Sequence, residues 1–422
     1  MPSASTAVDD VLILGGGVIG LACAHYLLDA GRSVRILERG VVGSATSFGN
    51  CGTITPSHAP PLAAPGVIGK ALRWMRQPDA PLYIRPRFDP ALALWLLRFA
   101  ARCNARDWRD SAIAKFALLE HSRHEIESLV VQLSLACEFS ASGLRYVFRS
   151  PDALENALAE LPKLHELGIA TRTLDSATLA GAEPALLPGM AGAIEFPGDA
   201  QFRPDAFTRE LAHSLRARGA VIEEGIAVSG FDTAKGRIDA VRTPQGKLRA
   251  REVVAAFGPW SPAMLRDLGL RLPIQPGKGY SITYSRPTSA PRMPMVLRER
   301  SVCVTAWDSG FRLGSTMEFS GYDNHLNRTR LDALERAARE YLHEPTGSER
   351  RAEWYGWRPM TWDDLPLIGK TSAYGNLWLA TGHGMMGMSM SAGTGRLLAA
   401  LMTGAETAID ARPYRPQRFA SA

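Results

Sequence analysis

The chain has 422 residues, of which 46% are hydrophobic, 21% are charged and 39 are glycines. This length predicts two to three domain-sized units, and the composition excludes a disordered, collagenous or disulfide-stapled protein. The formal net charge is +6, but the seven lysines and forty-one arginines are scattered, which argues against a nucleic-acid partner.

The N-terminal segment predicts a βαβ unit. Residues 1–10 lack the basic stretch and apolar core of a signal peptide and lead into a strand at 11–14. Helical periodicity over 18–30 ends at Gly31, and a second strand follows at 34–37. This order indicates a parallel sheet and an α/β fold.

The middle of the chain is predicted to be mostly helical over 86–150, with another helix over 151–168. Within 91–106, apolar residues that include Trp95 and Phe99 alternate with arginines, as in a helix that lies at a membrane surface. The alternative is an amphipathic helix packed on its own domain. No window reaches the ~18 apolar residues that span a bilayer.

The second half alternates strands with turns and ends in a strand, a glycine-rich loop and a helix. A parallel layer is thus expected beside an antiparallel one, α/β in part and α+β overall. The predicted elements are strands at 220–223, 236–242 and 253–257, an antiparallel sheet from 279–284, 302–307 and 310–314, a helix at 331–343, a strand at 376–381 and a helix at 391–403.

These elements predict two interleaved domains rather than a string of three. A Rossmann-like cofactor domain is assigned to residues 1–85, 151–265 and 355–422. A substrate domain with an antiparallel sheet and helices is assigned to residues 86–150 and 266–354.

The strongest motif is a GxGxxG sequence formed by Gly15, Gly17 and Gly20. The first glycine permits a tight turn, the second lets a pyrophosphate approach the backbone, and the third lets the helix pack on the sheet. Glu38 ends the next strand, 18 residues after Gly20, where a carboxylate can accept hydrogen bonds from ribose hydroxyls. The segment therefore predicts a dinucleotide site.

Two further segments indicate which dinucleotide binds. Residues 43–52 are small and hydroxyl-bearing, as expected of a loop that touches phosphates and a ring. Residues 381–395 supply a second strand, glycine loop and helix start. A helix N-terminus aimed at the pyrimidine edge stabilises a reduced flavin, so FAD is favoured over a nicotinamide cofactor.

An ordered series of motifs covers nearly the whole chain. It includes the N-terminal glycines, TSFGNCG at 46–52, KGYS at 278–281, GWRPM at 356–360, TGHG at 381–384 and YRPQRF at 414–419. The series resembles the D-amino-acid oxidase-like flavoproteins, and among them the small-subunit-type D-amino-acid dehydrogenases, hydroxyproline dehydrogenase-like members included.

The resemblance implies roles for particular residues. Arg358 would hold the substrate carboxylate with its planar fork, and Tyr280 would add a hydrogen bond or pack on its strand. FAD would be bound non-covalently, with Val228 and Gly258 near it. The residues predicted to contact FAD are Gly15, Gly17, Val18, Ile19, Gly20, Glu38, Arg39, Ser44, Thr46, Ser47, Asn50, Cys51, Gly52, Val228, Gly258, Gly382, His383, Gly384, Met385, Met386, Gly387 and Met388.

The resemblance further implies oxidation of D-amino acids or cyclic D-imino acids by hydride transfer to flavin N5, with a quinone or another electron-transfer acceptor. Departures from the D-alanine-preferring members at 385–388 and 198–201 argue against D-alanine and make a cyclic secondary amine, such as D-proline or cis-4-hydroxy-D-proline, a candidate substrate. The alternatives are a glycine or sarcosine oxidase that uses oxygen, a non-catalytic FAD-binding subunit, and a flavin monooxygenase.

The cysteines bear on location and on metals. The five cysteines form no CxxC pair, and no His/Cys cluster has zinc spacing, so no metal site is predicted. An odd number of cysteines without these patterns favours a reducing compartment. We therefore expect a cytoplasmic protein, a candidate for peripheral contact with the inner face of the membrane and for homo-oligomer formation.

Overall fold

A computed structural model describes residues 8–75 and 81–419. The sequence prediction for residues 1–7 lies outside this part. Twenty strands are described, and in chain order they are β1 Asp9–Leu14, β2 Val34–Glu38, β3 Thr53–Ile54, β4 Leu82–Ile84, β5 Leu144–Phe148, β6 Arg172–Asp175, β7 Gly192–Phe196, β8 Ala200–Gln201, β9 Val221–Glu224, β10 Gly230–Ala234, β11 Arg237–Thr243, β12 Gly246–Leu248, β13 Ala250–Ala255, β14 Ile274–Tyr284, β15 Met295–Leu297, β16 Val302–Trp307, β17 Gly310–Phe319, β18 Arg350–Thr361, β19 Leu367–Lys370 and β20 Leu377–Thr381.

Eleven α-helices are described, together with short 3₁₀ turns, of which Pro56–His58 matters below. The helices are α1 Val18–Asp29, α2 Val67–Trp74, α3 Pro90–Ala101, α4 Ala105–Gln132, α5 Pro151–Leu158, α6 Leu161–Glu166, α7 Ser176–Ala182, α8 Pro204–Ala217, α9 Ser261–Met264, α10 Arg328–Arg339 and α11 Ser391–Thr403.

The first layer is a six-stranded sheet in the order β19-β20-β13-β1-β2-β9. Strand β1 pairs in parallel with β2 and with β13, so the predicted βαβ unit is confirmed. Both faces of β1 are buried: Val11 and Ile13 join the core under α1 and α11, and Leu12 and Leu14 join the core on the opposite face. Burial on both faces explains the uninterrupted apolar run of this strand.

The second layer is a nine-stranded sheet in the order β18-β14-β17-β16-β15-β5-β7-β6, with β4 paired to β17. Strands β14, β17 and β16 are antiparallel, as predicted, and β18 adds a long antiparallel edge beside β14. One face of this sheet packs against α10, and the opposite face carries several glycines. The mixed α/β and antiparallel architecture is confirmed.

Elements from both ends of the chain build the first layer. Helices α1 and α11 pack against one another in one core, and α4 packs against α11 in that core. Strands β6 and β7 belong to the second sheet although they lie within residues 151–265. The two sheets define the layers of the fold. The domain limits predicted from the sequence remain a proposal.

The helical prediction over 86–150 is wrong beyond Gln132, because residues 144–148 form β5, which pairs with β15 and β7. Two further predicted helices are each divided in the structure. The helix expected over 91–106 ends at Ala101, and α4 starts anew because the Asn104 side chain accepts a hydrogen bond from the Asp107 amide at 3.0 Å. The helix expected over 151–168 becomes α5 and α6. Pro162, in the first turn of α6, has no amide proton with which to continue α5.

Candidate active site

One cavity of about 880 Å³ lies between the two sheets and is lined by residues from both. The wall includes segments that follow β1, β2 and β13 and residues of β15, β16, β17 and β18. Twenty predicted site residues contact it, namely Gly15, Gly17, Val18, Ile19, Glu38, Arg39, Thr46, Ser47, Asn50, Cys51, Val228, Gly258, Tyr280, Arg358, His383, Gly384, Met385, Met386, Gly387 and Met388.

Four predicted cofactor residues do not line the cavity. Gly20 and Gly52 lie against backbone, because a Cβ at either position would come within 2.0 Å of a carbonyl oxygen, that of Gly15 or Phe202 respectively. A Cβ on Gly382 would meet Leu367 at 2.8 Å. Ser44 donates to the Val41 carbonyl at 2.7 Å. These four residues shape the loops around the cavity, and direct contact with a cofactor stays a prediction for each.

The glycine turn between β1 and α1 has the geometry of a phosphate-binding loop. Gly15 has φ +118°, and a Cβ there would lie 2.5 Å from the Ala256 carbonyl oxygen. Helix α1 begins after Gly17 without a side-chain cap from that residue. The Val18 amide donates to the Ser47 hydroxyl at 3.1 Å. Backbone amides at this helix N-terminus therefore face the cavity wall, where an anion is stabilised.

The acidic residue after β2 is held by backbone amides. Glu38 accepts one hydrogen bond from the Gly16 amide at 2.8 Å and another from the Gly40 amide at 2.9 Å. Each carboxylate oxygen keeps further acceptor capacity, so Glu38 remains able to accept from a ribose. The neighbouring Arg39 guanidinium stacks 3.9 Å above the Trp260 ring.

The loop at 43–52 is tied to the second sheet by a buried arginine. Arg312 donates to the carbonyl oxygens of Phe48 and Asn50, at 2.8 and 2.6 Å, and to Thr283. The Thr46 hydroxyl donates to the Trp357 carbonyl at 2.8 Å. Arg312 thus fixes the predicted cofactor loop, although sequence reasoning assigned it no role.

A row of glycines on the second sheet makes room for cavity side chains. A Cβ on Gly279 would lie 2.3 Å from the Arg358 guanidinium, and one on Gly314 would lie 2.5 Å from the Cys51 sulfur. A Cβ on Gly356 would meet the Trp354 ring at 2.1 Å. Alternating glycines in strands indicate such close approach. We call Gly279, Gly314 and Gly356 the glycine floor.

Arg358 lies on this floor with no carboxylate partner in the described residues. Its guanidinium donates to the Thr316 carbonyl at 2.6 Å. Burial lowers the Arg358 pKa to about 10, so the group stays charged at neutral pH. The Cys51 thiol nearby has a lowered pKa, chiefly because Cys303 donates a hydrogen bond to it. A buried cation without a counter-ion is costly, which suits an anion that arrives in the cavity.

Tyr280 has a different environment from Arg358. Its hydroxyl donates to Glu318 at 3.0 Å, and its ring belongs to the core on the α10 side of the sheet. Burial and Glu318 raise its pKa well above the usual range. The second reading given above, an aromatic side chain packed on its strand, matches this placement. The substrate hydrogen bond of Tyr280 stays a prediction.

The C-terminal glycine loop brings neutral and apolar groups to the cavity. His383 Nε2 lies 3.0 Å from the Thr394 hydroxyl at the start of α11, and burial lowers the His383 pKa to about 3. The imidazole is therefore uncharged at neutral pH. Met386 and Met388 are nearly buried and line the same wall.

Residues 10–401 match the family model described as FAD dependent oxidoreductase. The chain belongs to this family. Two curated relatives share its length: a D-amino acid dehydrogenase from Granulibacter bethesdensis is 36% identical, covering 97% of this chain and 99% of the relative. Another, from Methylobacterium nodulans, is 38% identical and covers 93% of this chain and 95% of the relative. These relatives confirm the resemblance seen in the motifs.

The fold of this FAD-dependent oxidoreductase also has solved counterparts. Glycine oxidase from Geobacillus kaustophilus superimposes with a TM-score of 0.78, covering 98% of this chain and 99% of that chain at 23% identity. FAD is the cofactor of this family, and the cavity fits it. The Thr55 and Thr316 hydroxyl oxygens are buried without a hydrogen-bond partner in the described structure, and both residues line the cavity, which suits a polar group bound there.

Several residues of the oxidoreductase cavity carried no signal in the sequence reasoning. His58 lines it from the 3₁₀ turn, Tyr146 from β5, Arg298 from the position after β15, and Cys303 from β16. A charged residue inside an apolar strand, such as Arg312, was an available signal. Among residues 8–75 and 81–419 no cluster of three metal-ligating side chains occurs, and no helix is long and apolar enough to cross a membrane.

Proposed function

We propose that this oxidoreductase dehydrogenates D-amino acids or cyclic D-imino acids. The observation that carries the proposal is Arg358, a guanidinium in the cavity wall with no carboxylate partner in the described chain. Such a fork binds a carboxylate bidentately. The full-length relatives named D-amino acid dehydrogenase support the choice of substrate class.

The chain's own groups would bind and orient the substrate. Arg358 holds the carboxylate, and the glycine floor keeps the guanidinium flat so that the α-carbon has a fixed position above it. Non-covalently bound FAD supplies the two-electron acceptor for the α-hydrogen. Met386 and Met388 exclude water from the side of the C-terminal loop.

The cavity lining favours a cyclic secondary amine. Met385, Met386 and Met388 contribute flexible apolar surface that suits ring carbons, and Tyr146 and His58 add polar groups on another part of the wall. D-Proline and cis-4-hydroxy-D-proline combine an apolar ring with a carboxylate. These two compounds are therefore the proposed substrates of first choice.

The electron acceptor is proposed to be a quinone met at the cytoplasmic face of a membrane. Helix α3 buries Leu92 and Trp95 but leaves Leu94 and Leu97 exposed by 52% and 69%. Trp95 and Phe99 of the same helix line the cavity. A helix that presents leucines outward and reaches the cavity inward suits peripheral contact with lipid and an apolar acceptor.

The test is a screen of D- and L-amino and imino acids for bleaching of the flavin absorbance under anaerobic conditions. We expect D-proline or cis-4-hydroxy-D-proline to bleach the flavin faster than their L-isomers and than glycine. Turnover with a short-chain quinone, together with peroxide yield in air, separates dehydrogenase from oxidase. Bleaching by none of the D-compounds would remove the proposed substrate class.

A further inference from the structure

A chain of four hydrogen-bonded side chains leads from the cavity wall into the core. The Tyr146 hydroxyl lies 3.0 Å from His58 Nε2, and His58 Nδ1 lies 3.4 Å from the Ser57 hydroxyl. Ser57 in turn donates to Asp199 Oδ2 at 2.5 Å, and its amide donates to Oδ1 at 3.1 Å. Tyr146 and His58 line the cavity, and Asp199 is 1% exposed.

While Asp199 is ionised, its partners fix the direction of every hydrogen bond in this chain. Ser57 donates to the carboxylate, so its oxygen is free to accept from His58 Nδ1–H. The pKa of His58 is lowered to about 3 by burial and by Lys115 and Arg298, so the ring is neutral and its Nε2 is an acceptor. Tyr146 therefore donates to Nε2, and its oxygen keeps acceptor capacity at the cavity wall.

The far end of the chain is a carboxylate able to take a proton near neutral pH. Burial raises the Asp199 pKa to about 7, against the opposing effect of Ser57 and of Arg123. Glu120, also on α4, adds to the rise. Ordinary surface aspartates stay ionised at this pH and take no proton. Asp199 thus differs in kind from a structural acid paired with an arginine.

The cavity end of the chain lies in the same cavity as Arg358. Strand β15 pairs Val296 with Tyr146 on one side and with Cys303 on the other, so the three residues form one row across the sheet. Cys303 pairs on its other side with Gly314 of β17, and the Cys51 sulfur lies over Gly314 near Arg358. The row thus places Tyr146 on the face of the sheet that also carries Arg358, and both residues line the cavity.

We propose that Tyr146, His58, Ser57 and Asp199 form a relay that accepts the proton released when the substrate ammonium becomes the reactive amine. The proposal rests on the proposed function. The ammonium N–H bond breaks, directly or through one water, and its proton goes to the Tyr146 oxygen. Tyr146 passes its own proton to His58 Nε2, His58 passes Nδ1–H to Ser57, and Ser57 passes its proton to Asp199. No electron moves in this step, and Asp199 returns the proton by the same path after product leaves.

Tyr146 is the group that meets the substrate, and the other three act through it as positioning and proton-accepting residues. The experiment measures the rate of anaerobic flavin bleaching from pH 5.5 to 10 with the best D-substrate of the screen. The holoenzyme and its Tyr146→Phe and Asp199→Asn variants are compared. Tyr341→Phe is the matched control, because it removes a buried phenol bonded to Glu299 and absent from the cavity lining.

In the natural enzyme we expect the rate to rise with an inflection near pH 7. Both relay variants should lose that inflection and fall on the order of a hundredfold at pH 7, the usual worth of a positioned base. Their rates should recover at high pH, where the substrate amine loses its proton to solvent. Tyr341→Phe should keep the natural profile.

A purely structural role predicts another outcome, in which both variants slow equally at every pH and keep the inflection near 7; that result overturns the relay. Ser57→Ala, which removes a single oxygen, takes the place of Asp199→Asn if that variant does not retain flavin. If no D-compound bleaches the natural enzyme, the proposed function has failed. If bleaching is normal and variant profiles are unchanged, only the relay has failed.

Discussion

The Lys115 ammonium lies 2.5 Å from a carboxylate oxygen of Asp364, and both side chains are less than 5% exposed. The pair joins α4 to the turn between β18 and β19. Asp364 also accepts from the Leu62 amide at 3.3 Å, and a Cβ on Gly384 would lie 3.1 Å from it. This ion pair therefore ties α4 to the turn between β18 and β19, beside Leu62 and Gly384 of the cavity wall.

Replacing Lys115 by methionine should destabilise the protein by about 3–5 kcal/mol, because Asp364 would remain buried as an uncompensated charge. Urea unfolding of the flavin-loaded protein gives the free energy. The double variant Lys115→Met/Asp364→Asn removes that charge and should recover part of the loss. Equal losses in the single and double variants would contradict a charge origin.

The glycine floor gives a prediction about substrate affinity. In Gly279→Ala the new methyl would meet the Arg358 guanidinium at 2.3 Å and displace it. Loss of a charged hydrogen-bond pair costs about 1.5–3 kcal/mol, so KM for a carboxylate substrate should rise about tenfold to a hundredfold. Steady-state kinetics with an artificial acceptor measures it.

Gly181→Ala is the control for that substitution, since a Cβ there meets nothing within 4 Å and the glycine lies in α7. It should leave KM unchanged. Arg358→Ala should raise KM at least as far as Gly279→Ala. Near-normal kcat/KM in Arg358→Ala would show that this arginine does not bind the substrate.

Arg312 gives a prediction about cofactor affinity. Its guanidinium donates from Nη1 to two carbonyl oxygens of the 43–52 loop and from Nε to the Thr283 hydroxyl, and a lysine, with one nitrogen, cannot hold all three partners in the same geometry. Arg312→Lys should therefore weaken FAD binding by about tenfold, or about 1.4 kcal/mol. Titration of the apoprotein by quenching of FAD fluorescence measures the affinity. An unchanged affinity for FAD would mean that Arg312 contributes only to packing of the loop.

The sequence predicted the layers and the strand-turn-helix segments well because their signals are local. An apolar strand, a glycine turn and Glu38 follow one another within 30 residues, and the βαβ unit they predict is confirmed. The motif order also predicted the family. Asn104 and Pro162 are local signals for a helix start, and the helix predictions over 91–106 and 151–168 did not use them.

The relay and the ion pair were beyond sequence reasoning because they are made by distant residues. His58 meets Tyr146 across 88 residues, Ser57 meets Asp199 across 142, and Lys115 meets Asp364 across 249. No periodicity joins such positions. The side to which Tyr280 points depends on strand register against β17, which the sequence leaves open.

Buried neutral histidines predict how stability depends on pH. His383 has a pKa of about 3 in the folded protein against 6.5 when unfolded, as does His58. The unfolded chain therefore binds protons first as pH falls, and each histidine's stabilising contribution, fully present above pH 6.5, is lost between 6.5 and 3. Asp199, with its pKa raised from 3.8 to about 7, acts with the opposite sign and offsets one histidine between 3.8 and 6.5.

These three groups together should make the free energy of unfolding fall by about 1.4 kcal/mol per pH unit between pH 6 and 4.5. His383→Asn removes one histidine and should flatten the slope by that amount relative to the natural protein. Urea unfolding at four pH values measures both slopes, with His213→Asn, exposed on α8, as the control for loss of an imidazole. Parallel slopes in the natural protein and His383→Asn would mean that the buried imidazole takes up a proton in the folded state.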